Sequence, residues 1–592
     1  MGPVQELVPL SARRAIVRTT PDRFRAALQR AAARDLLAHR TRLAGRRERL
    51  RRRVAGQAGP LRTAVTSRGR TYVARSATAY RWDEVAASNV ALVADALESD
   101  AIPYTALATD GLDRRLVVAA SDRQRVLAAL RAQADRPVYV LIPGGDGRPR
   151  PPRRLATNQY SKALKVFEFW GTGSGALLSG PELACTVEFW DAVTADGEVY
   201  SYGEALAVGA LRAVRSNPWT AAIAPLERSA RKDVDGRPRP VASVAGRPHL
   251  FRTRFPVDAV YTWVDGDDPA WQQRKLRRLA ALDNTALPEH TAAVCRYDSH
   301  DELRYSLRSL EMFAPWIRRV YLVTDDQVPD WLDTDNPRIR VVSHRELFAD
   351  STALPTFNSH AIESQLYRLP GVSEHFIYFN DDFFLGRPVE PNLFFLSNGM
   401  ARFFASTVKI GEFPQNLEDS PVMTAAKNNR DLIASRFGVT VTNRFQHTPY
   451  ALRASVLRDM AEDFQEAFAA TACAPFRSRS DIAIASSLHH YYAYATGRAV
   501  PGSIAYTYVD LGGATVERRL AQLLDKRKYD TFCINQTELT ETDPEESVRL
   551  LQRFLDDYFP LASSFERAEA SAYRTKTIKH HAVGRVTDVV RA

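Results

Sequence analysis

The chain has 592 residues, 45% of them apolar and 25% charged, with a formal net charge of +11. That length exceeds one compact core and predicts two to four domains, and the composition excludes a disordered or fibrous chain. No run approaches the ~18 uninterrupted apolar residues of a membrane-spanning helix, and no apolar stretch follows the N-terminal arginines as a secretory leader requires.

Residues 1–70 hold eighteen arginines, no lysine and four acids (Glu6, Asp22, Asp35, Glu48), a surplus larger than that of the whole chain. The remainder is therefore slightly acidic. Pro21 to Val54 reads as an arginine-rich helix, with Phe24, Leu28, Ala32, Leu36 and Leu37 roughly on one face. A basic arm over residues 1–60 suits a solvated or partner-packed helix. It equally suits an anionic membrane surface, where each basic residue contributes about 1 kcal/mol. No groove-reading or aromatic-interleaved motif supports nucleic acid as a partner.

Residues 61–250 read as a small α+β accessory region. Thr71–Val73, Leu116–Ala119 and Val138–Ile142 are strand-like, whereas Trp82–Glu98 and Asp122–Ala132 are helix-like. Gly144 to Arg154 reads as a linker and 228–250 as a polar, proline-containing connector. Between them, Val166–Trp170 and Thr186–Asp191 read as strands. The four cysteines, Cys185, Cys295, Cys473 and Cys533, lack CxxC pairing. That spacing argues against a zinc site or a disulfide framework and fits a reducing, cytoplasmic setting.

From 251 the pattern changes. Val257–Trp263 is an apolar strand that runs into Asp265, Asp267 and Asp268. Asp301–Phe313 has helical spacing, with Leu303, Leu307 and Leu310 on one face. Arg319–Thr324 is a strand ending at Asp325-Asp326, Ile339–Ser343 another strand, and Asn358–Leu369 a helix. Phe376–Phe379 is a strand ending at Asn380-Asp381-Asp382. Apolar strands alternating with helices indicate a mostly parallel sheet covered on both faces.

In such sheets the ligand crevice lies outside the carboxyl ends of the strands, so these acids converge. Clustered carboxylates raise one another's pKa unless a cation lies between them. Oxygen-only ligands favour Mg2+ or Mn2+, shared with substrate phosphate oxygens. Each acid also has a plainer role available, because Asp at a strand end often makes a turn or caps a helix. Arg304 and Arg308, one helical turn apart, could clamp a phosphate or pair with Asp301 and Glu302. His360, at a helix start, and His447, before a helix led by Pro449, are candidate general bases or structural histidines.

Four segments together resemble the Stealth family: FPVDAVYTWVDGDDPAW (255–271), RYDSHDELRYSLRSLEMFAPWIRRVYLVTDDQVPDWL (296–332), FNSHAIESQLYRLPGVSEHFIYFNDDFFLGRPV (357–389) and YDTFCINQTE (529–538). They look like its first to fourth conserved regions, and the likeness covers about residues 255–566. The resemblance implies transfer of a hexose-1-phosphate from a UDP-sugar donor to a carbohydrate or polysaccharide acceptor. It further implies Mg2+ or Mn2+ as cofactor and release of UMP.

The stretches 428–430, 444–449 and 476–481 are similar to family sequence too, with a His before Pro and an Arg followed four residues later by Asp. Carried over residue by residue, the likeness implies catalytic roles for His447, Arg477, Asp265, Arg304 and Asp298. It also implies roles in substrate binding for Glu302, Asn358, Asn429 and Arg479, with Arg479 competing with Arg477 for the same role; the residue reading adds Trp263, Arg308 and His360 to that set. Metal binding falls to Asp381, Asp382 and Asn535. Gln536 departs from the pattern, which leads one to expect Asp after the Asn.

The expected fold is α/β. A mostly parallel, Rossmann-like, nucleotide-sugar-transferase-like catalytic domain (251–566) would follow the helical arm and the accessory region and precede a tail (567–592). The expected place is cytoplasmic, or peripheral on the inner face of the membrane, with an oligomer left open. A metal-dependent glycosyltransferase releasing UDP is the competing enzyme reading. A membrane-associated assembly factor of a polysaccharide machine is the competing class.

Overall fold

The computed structural model describes residues 62–568 apart from 109, 134, 157–160, 195–199, 202–203, 226–229, 235, 282–296, 298, 514 and 536–543. The arm over 1–60, nearly all of the 567–592 tail, Asp298 and Gln536 lie outside the described residues.

In the first half, the hairpin Arg62–Ser67 with Arg70–Ser76 continues through Trp170–Gly171 to Leu177–Ser179. A seven-stranded mixed sheet accompanies it. There Cys185–Ala192 lies antiparallel to Ala163–Glu168 and parallel to Arg115–Ala119. Helices Trp82–Ser99 and Arg123–Ala132 stand close to where apolar spacing puts them. Asn89, fully buried in the first helix, spends its amide on the neighbouring backbone: Nδ2 donates to Leu183 O at 2.8 Å and Oδ1 accepts from Glu168 N at 3.1 Å. Both polar atoms of the buried amide are therefore hydrogen-bonded. The 228–250 connector differs from expectation, since Arg231–Val234 pairs with Arg237–Pro240 as a hairpin. Its prolines are tolerated because a two-stranded ribbon consists only of edges.

The second half is built on a five-stranded sheet in the order Ile339–Ser343, Val320–Thr324, Val257–Thr262, His375–Asn380, Tyr450–Arg453. The first four strands are parallel and the last is antiparallel. The central strands read as continuous apolar runs because both faces are covered. The one acid within them, Asp258, is buried but accepts from Arg318 Nε at 2.8 Å, Arg318 Nη2 at 2.6 Å and Ser373 N at 2.7 Å. A smaller three-stranded sheet pairs Phe383–Leu385 antiparallel with Thr531–Asn535, which runs parallel to Tyr506–Asp510. The chain passes from the large sheet to the small one at Asp381-Asp382.

The helix Glu302–Phe313 buries Leu303, Leu307 and Leu310 as its spacing predicts. Two other helix expectations are corrected. The Asn358–Leu369 segment forms only the short helix Ser359–Glu363 and then a 3-10 turn, Leu366–Arg368. Pro449 precedes a strand rather than leading a helix. Tyr450–Arg453 hydrogen-bonds along His375–Tyr378, a tertiary partner that overrides local propensity.

Tyr80, Trp82, Val85, Leu178 and Leu183 from the first half share one apolar core with Phe313, Tyr321, Phe376 and Phe559 of the second. A polar tie accompanies this packing: Leu112 N donates to Glu390 Oε1 at 3.2 Å. Among the described residues no helix is long and apolar enough to cross a membrane.

Candidate active site

The strand His375–Asn380 ends where Asp381 and Asp382 begin the crossing to the small sheet. Phe383 stands opposite Cys533 in the antiparallel ladder. Side chains on a strand alternate faces, so Cys533 and Asn535 point the same way. Both reach Asp382: Asn535 Nδ2 donates to Oδ2 at 2.8 Å and Cys533 Sγ donates to the same oxygen at 3.1 Å. The other oxygen, Oδ1, is buried with no hydrogen-bond partner. On the far side, Tyr450 is the ladder partner of Tyr378. The chain leading into that antiparallel strand therefore runs beyond the carboxyl end of His375–Asn380 and carries His447 to Asp382. Ligand atoms of Asp382, His447 and Cys533 lie within 4.8 Å of one another.

The electrostatics are those of carboxylates crowded together under burial. Burial pushes the Asp381 carboxyl well above the usual range, and the neighbouring carboxylates of Asp382 and Glu302 push it further. Glu302, buried at the start of its helix, is also raised, first by burial; its carboxylate accepts from His300 N at 2.5 Å. His447 is held below its ordinary value by burial, with Asp382 partly opposing, so its imidazole is neutral near pH 7. Its Nδ1 lies 3.3 Å from Tyr450 Oη and its ring meets Phe383 edge-on, with centroids 4.7 Å apart.

A second cluster is organised by Asp481, a buried acid at the end of the Arg477–Asp481 segment. Its Oδ2 accepts from Asn358 Nδ2 at 2.9 Å and Ser478 N at 3.0 Å, and lies 3.3 Å from His360 Nδ1. Asn358 in turn caps the short helix by accepting from His360 N at 3.1 Å, while Arg477 Nη2 donates to Ser359 Oγ at 3.0 Å. Asn429 is fully buried and donates to Ala483 O at 2.8 Å and to Ser487 Oγ. Glu363, buried nearby, accepts from Ala485 N at 3.0 Å, and burial raises its carboxyl.

Other expected residues are engaged differently. Asp265 closes its own turn, Oδ1 accepting from Asp267 N at 3.0 Å, and its backbone is pinned by Gln327. Trp263 packs half-buried against the core. Asp325 is paired with Arg274 at 2.8 Å, a structural use. Arg304 pairs with Asp301 at 3.1 Å and lies over the Trp331 ring at 5.0 Å.

The clamp pictured for Arg308 is corrected by its surroundings. It is 4% exposed, and both Nε and Nη2 reach the Glu566 carboxylate at 2.6 Å while Nη1 reaches Phe559 O at 3.2 Å. Those bonds occupy its fork with the C-terminal segment rather than with a ligand. Arg479 likewise donates to the carbonyls of Asn416 and Leu417, both at 3.0 Å, and so ties down a loop. That favours Arg477 in the competition between the two.

The donor set fits an oxygen-preferring divalent cation. Two adjacent carboxylates, a third nearby in Glu302, an orphaned buried Asp382 oxygen and the Asn535 amide oxygen are hard ligands. Reading the sequence for site residues misses Cys533 and gives Asp481 no role of its own. The period-2 relation of Cys533 to Asn535 is the signal that could have found the first.

Models described as Stealth protein conserved regions 1, 2, 3 and 4 match residues 255–283, 296–403, 446–494 and 521–577. Three Streptomyces coelicolor proteins named exopolysaccharide phosphotransferase are similar over most of the chain. One is 45% identical over 496 residues, covering 82% of this chain and 51% of that protein. A second is 43% identical over 505 residues (82% and 83%), and a third 39% identical over 608 residues (96% and 98%). The chain belongs to the Stealth family. It spans about half the length of the first of these relatives and nearly all of the third.

Within the Stealth pattern one boundary is corrected: 357–389 falls inside conserved region 2, and region 3 is 446–494, which contains His447 and Arg477. Among solved structures, the galactosyltransferase LgtC in complex with donor and acceptor sugar analogs is similar over 53% of this Stealth chain and 99% of that chain, at 9% identity and a TM-score of 0.27.

Proposed function

We propose that this Stealth chain is an exopolysaccharide phosphotransferase that moves a hexose-1-phosphate from a UDP-sugar to a carbohydrate hydroxyl and releases UMP. The observation that carries the reading is Asp382, a buried carboxylate at a strand's carboxyl end with one oxygen left without a partner beside His447. The names of the relatives support the reaction class.

Asp381 and Asp382, with Asn535, would hold Mg2+ or Mn2+, which when bound neutralises the donor's diphosphate. His447 takes the proton of the acceptor hydroxyl. With Nδ1 protonated toward Tyr450 Oη, the accepting nitrogen is Nε2. The acceptor oxygen bonds to the phosphorus that bears the sugar, the bond from that phosphorus to the bridging oxygen breaks, and UMP leaves with the electron pair. Arg477, steadied on Ser359, and Arg304, seated over Trp331, supply positive charge for the equatorial phosphate oxygens. Asn358 and His360, both buried and fixed by Asp481, hold the Arg477 segment in place rather than touching substrate.

Asp382→Asn and Arg477→Ala should each lower turnover at least about 100-fold. The circular-dichroism spectrum and melting temperature of both should stay near wild type. Near-wild-type activity in either variant removes that residue from the mechanism.

A further inference from the structure

We propose that Asp382, His447 and Cys533 form a site for thiophilic divalent cations, Zn2+ or Cd2+, which compete with the hard cation for the same crevice. One carboxylate oxygen, one imidazole nitrogen and one sulfur lie within 4.8 Å of one another. The CxxC-free spacing of the cysteines gives no hint of this, because the three ligands come from the strand crossing, the turn before Tyr450 and the small sheet.

Two further observations point to a ligand. Asp382 is 9% exposed, and its Oδ1 is buried with no partner, so one polar atom awaits a donor or a cation. Cys533, fully buried, spends its proton on the other Asp382 oxygen, although Asn535 already donates there at 2.8 Å. The transfer chemistry proposed above makes no use of that thiol. Oxygen ligands alone select Mg2+, whereas an N, O, S set selects zinc-like ions. Zinc–nitrogen and zinc–sulfur bonds are about 2.0–2.3 Å long, and three protein ligands leave a fourth position open.

On binding, the metal–sulfur bond forms, the thiol proton leaves to solvent, and the Cys533–Asp382 hydrogen bond is exchanged for a shared cation. The described cysteines elsewhere, Cys185 and Cys473, are not part of this cluster. A bound soft ion would occupy His447 and Asp382 together and stop transfer; only this consequence rests on the proposed function.

The test uses the full chain, stripped with chelator and titrated with Cd2+ while near-ultraviolet charge-transfer absorbance reports cadmium–thiolate bonding. The expected result is a single saturating band that survives about a hundredfold molar excess of Mg2+. Cys533→Ser should abolish the band, His447→Gln should weaken binding at least about tenfold, and Cys473→Ser should leave the band in place. His447→Gln leaves Cys533 intact and keeps the test decisive if Cys533→Ser fails to fold. A band absent from the wild type, unchanged in Cys533→Ser or His447→Gln, or lost with Cys473→Ser overturns the site. Cys533-dependent cadmium binding that leaves sugar-phosphate transfer unaffected would support the site and count instead against the roles given to His447 and Asp382.

Discussion

Arg308 and Glu566 illustrate how one residue pair can look functional in sequence and be structural in space. The pair joins the helix after the first acid cluster to the C-terminal segment, with both partners buried. Burial alone would raise the Glu566 carboxyl, but the bonds from Arg308 outweigh it and hold the value below its ordinary 4.5. Glu566→Gln leaves Arg308 without its counter-charge and should cost about 3–5 kcal/mol in chemical denaturation near neutral pH. A carboxyl depressed in the folded state contributes stability that is present above its unfolded value and lost as pH falls through the folded one. The wild type should therefore lose this increment below about pH 4.5, and the gap between wild type and Glu566→Gln should narrow there. A gap that stays constant down to pH 3 would mean that the pair contributes no charge-dependent stability. Sequence alone leaves Arg308 open because i, i+4 spacing shows which residues share a helix face, not what packs on it.

At the scale of elements, the parallel strands are legible because sheets covered on both faces demand apolar runs, and the acids after them mark the crevice edge. The strand at Tyr450–Arg453 is not legible, since Pro449 carries a helix-start signal and only the His375–Tyr378 backbone supplies the competing partner. Cys533 and Asp481 are equally hidden, because each gains its meaning from residues more than a hundred positions away. The turn after the first strand shows how tightly elements constrain one another. A Cβ on Gly266 would lie 2.1 Å from Tyr297 O. Tyr297 belongs to an aromatic group with Trp271, Phe357 and Phe476, and Phe357 and Phe476 adjoin Asn358 and Arg477 in sequence. Gly266→Ala should shift that wall and lower kcat/KM roughly 100-fold, as misplacement of about 1 Å can do. An unchanged kcat/KM would show that the turn and the Arg477 side move independently.

Across the whole molecule, the first half packs into the same apolar core as the candidate active site. Trp82 is 4% exposed in that core, beside Tyr80 and Val85. Removing buried aromatics of this size typically costs about 3–5 kcal/mol each. A chain starting at residue 251 should therefore melt far below the full protein and bind a hydrophobic dye. Cooperative melting at the full-length temperature would contradict this account of the interface.

The central claim concerns which bond of the donor breaks, and the identity of the released nucleotide reads it directly. The full chain incubated with a panel of UDP-sugars, a carbohydrate acceptor and Mg2+ should release UMP in step with phosphodiester-linked product seen by 31P NMR. Release of UDP, with the sugar transferred without phosphorus, would contradict the phosphotransferase account and make the same crevice that of a glycosyltransferase.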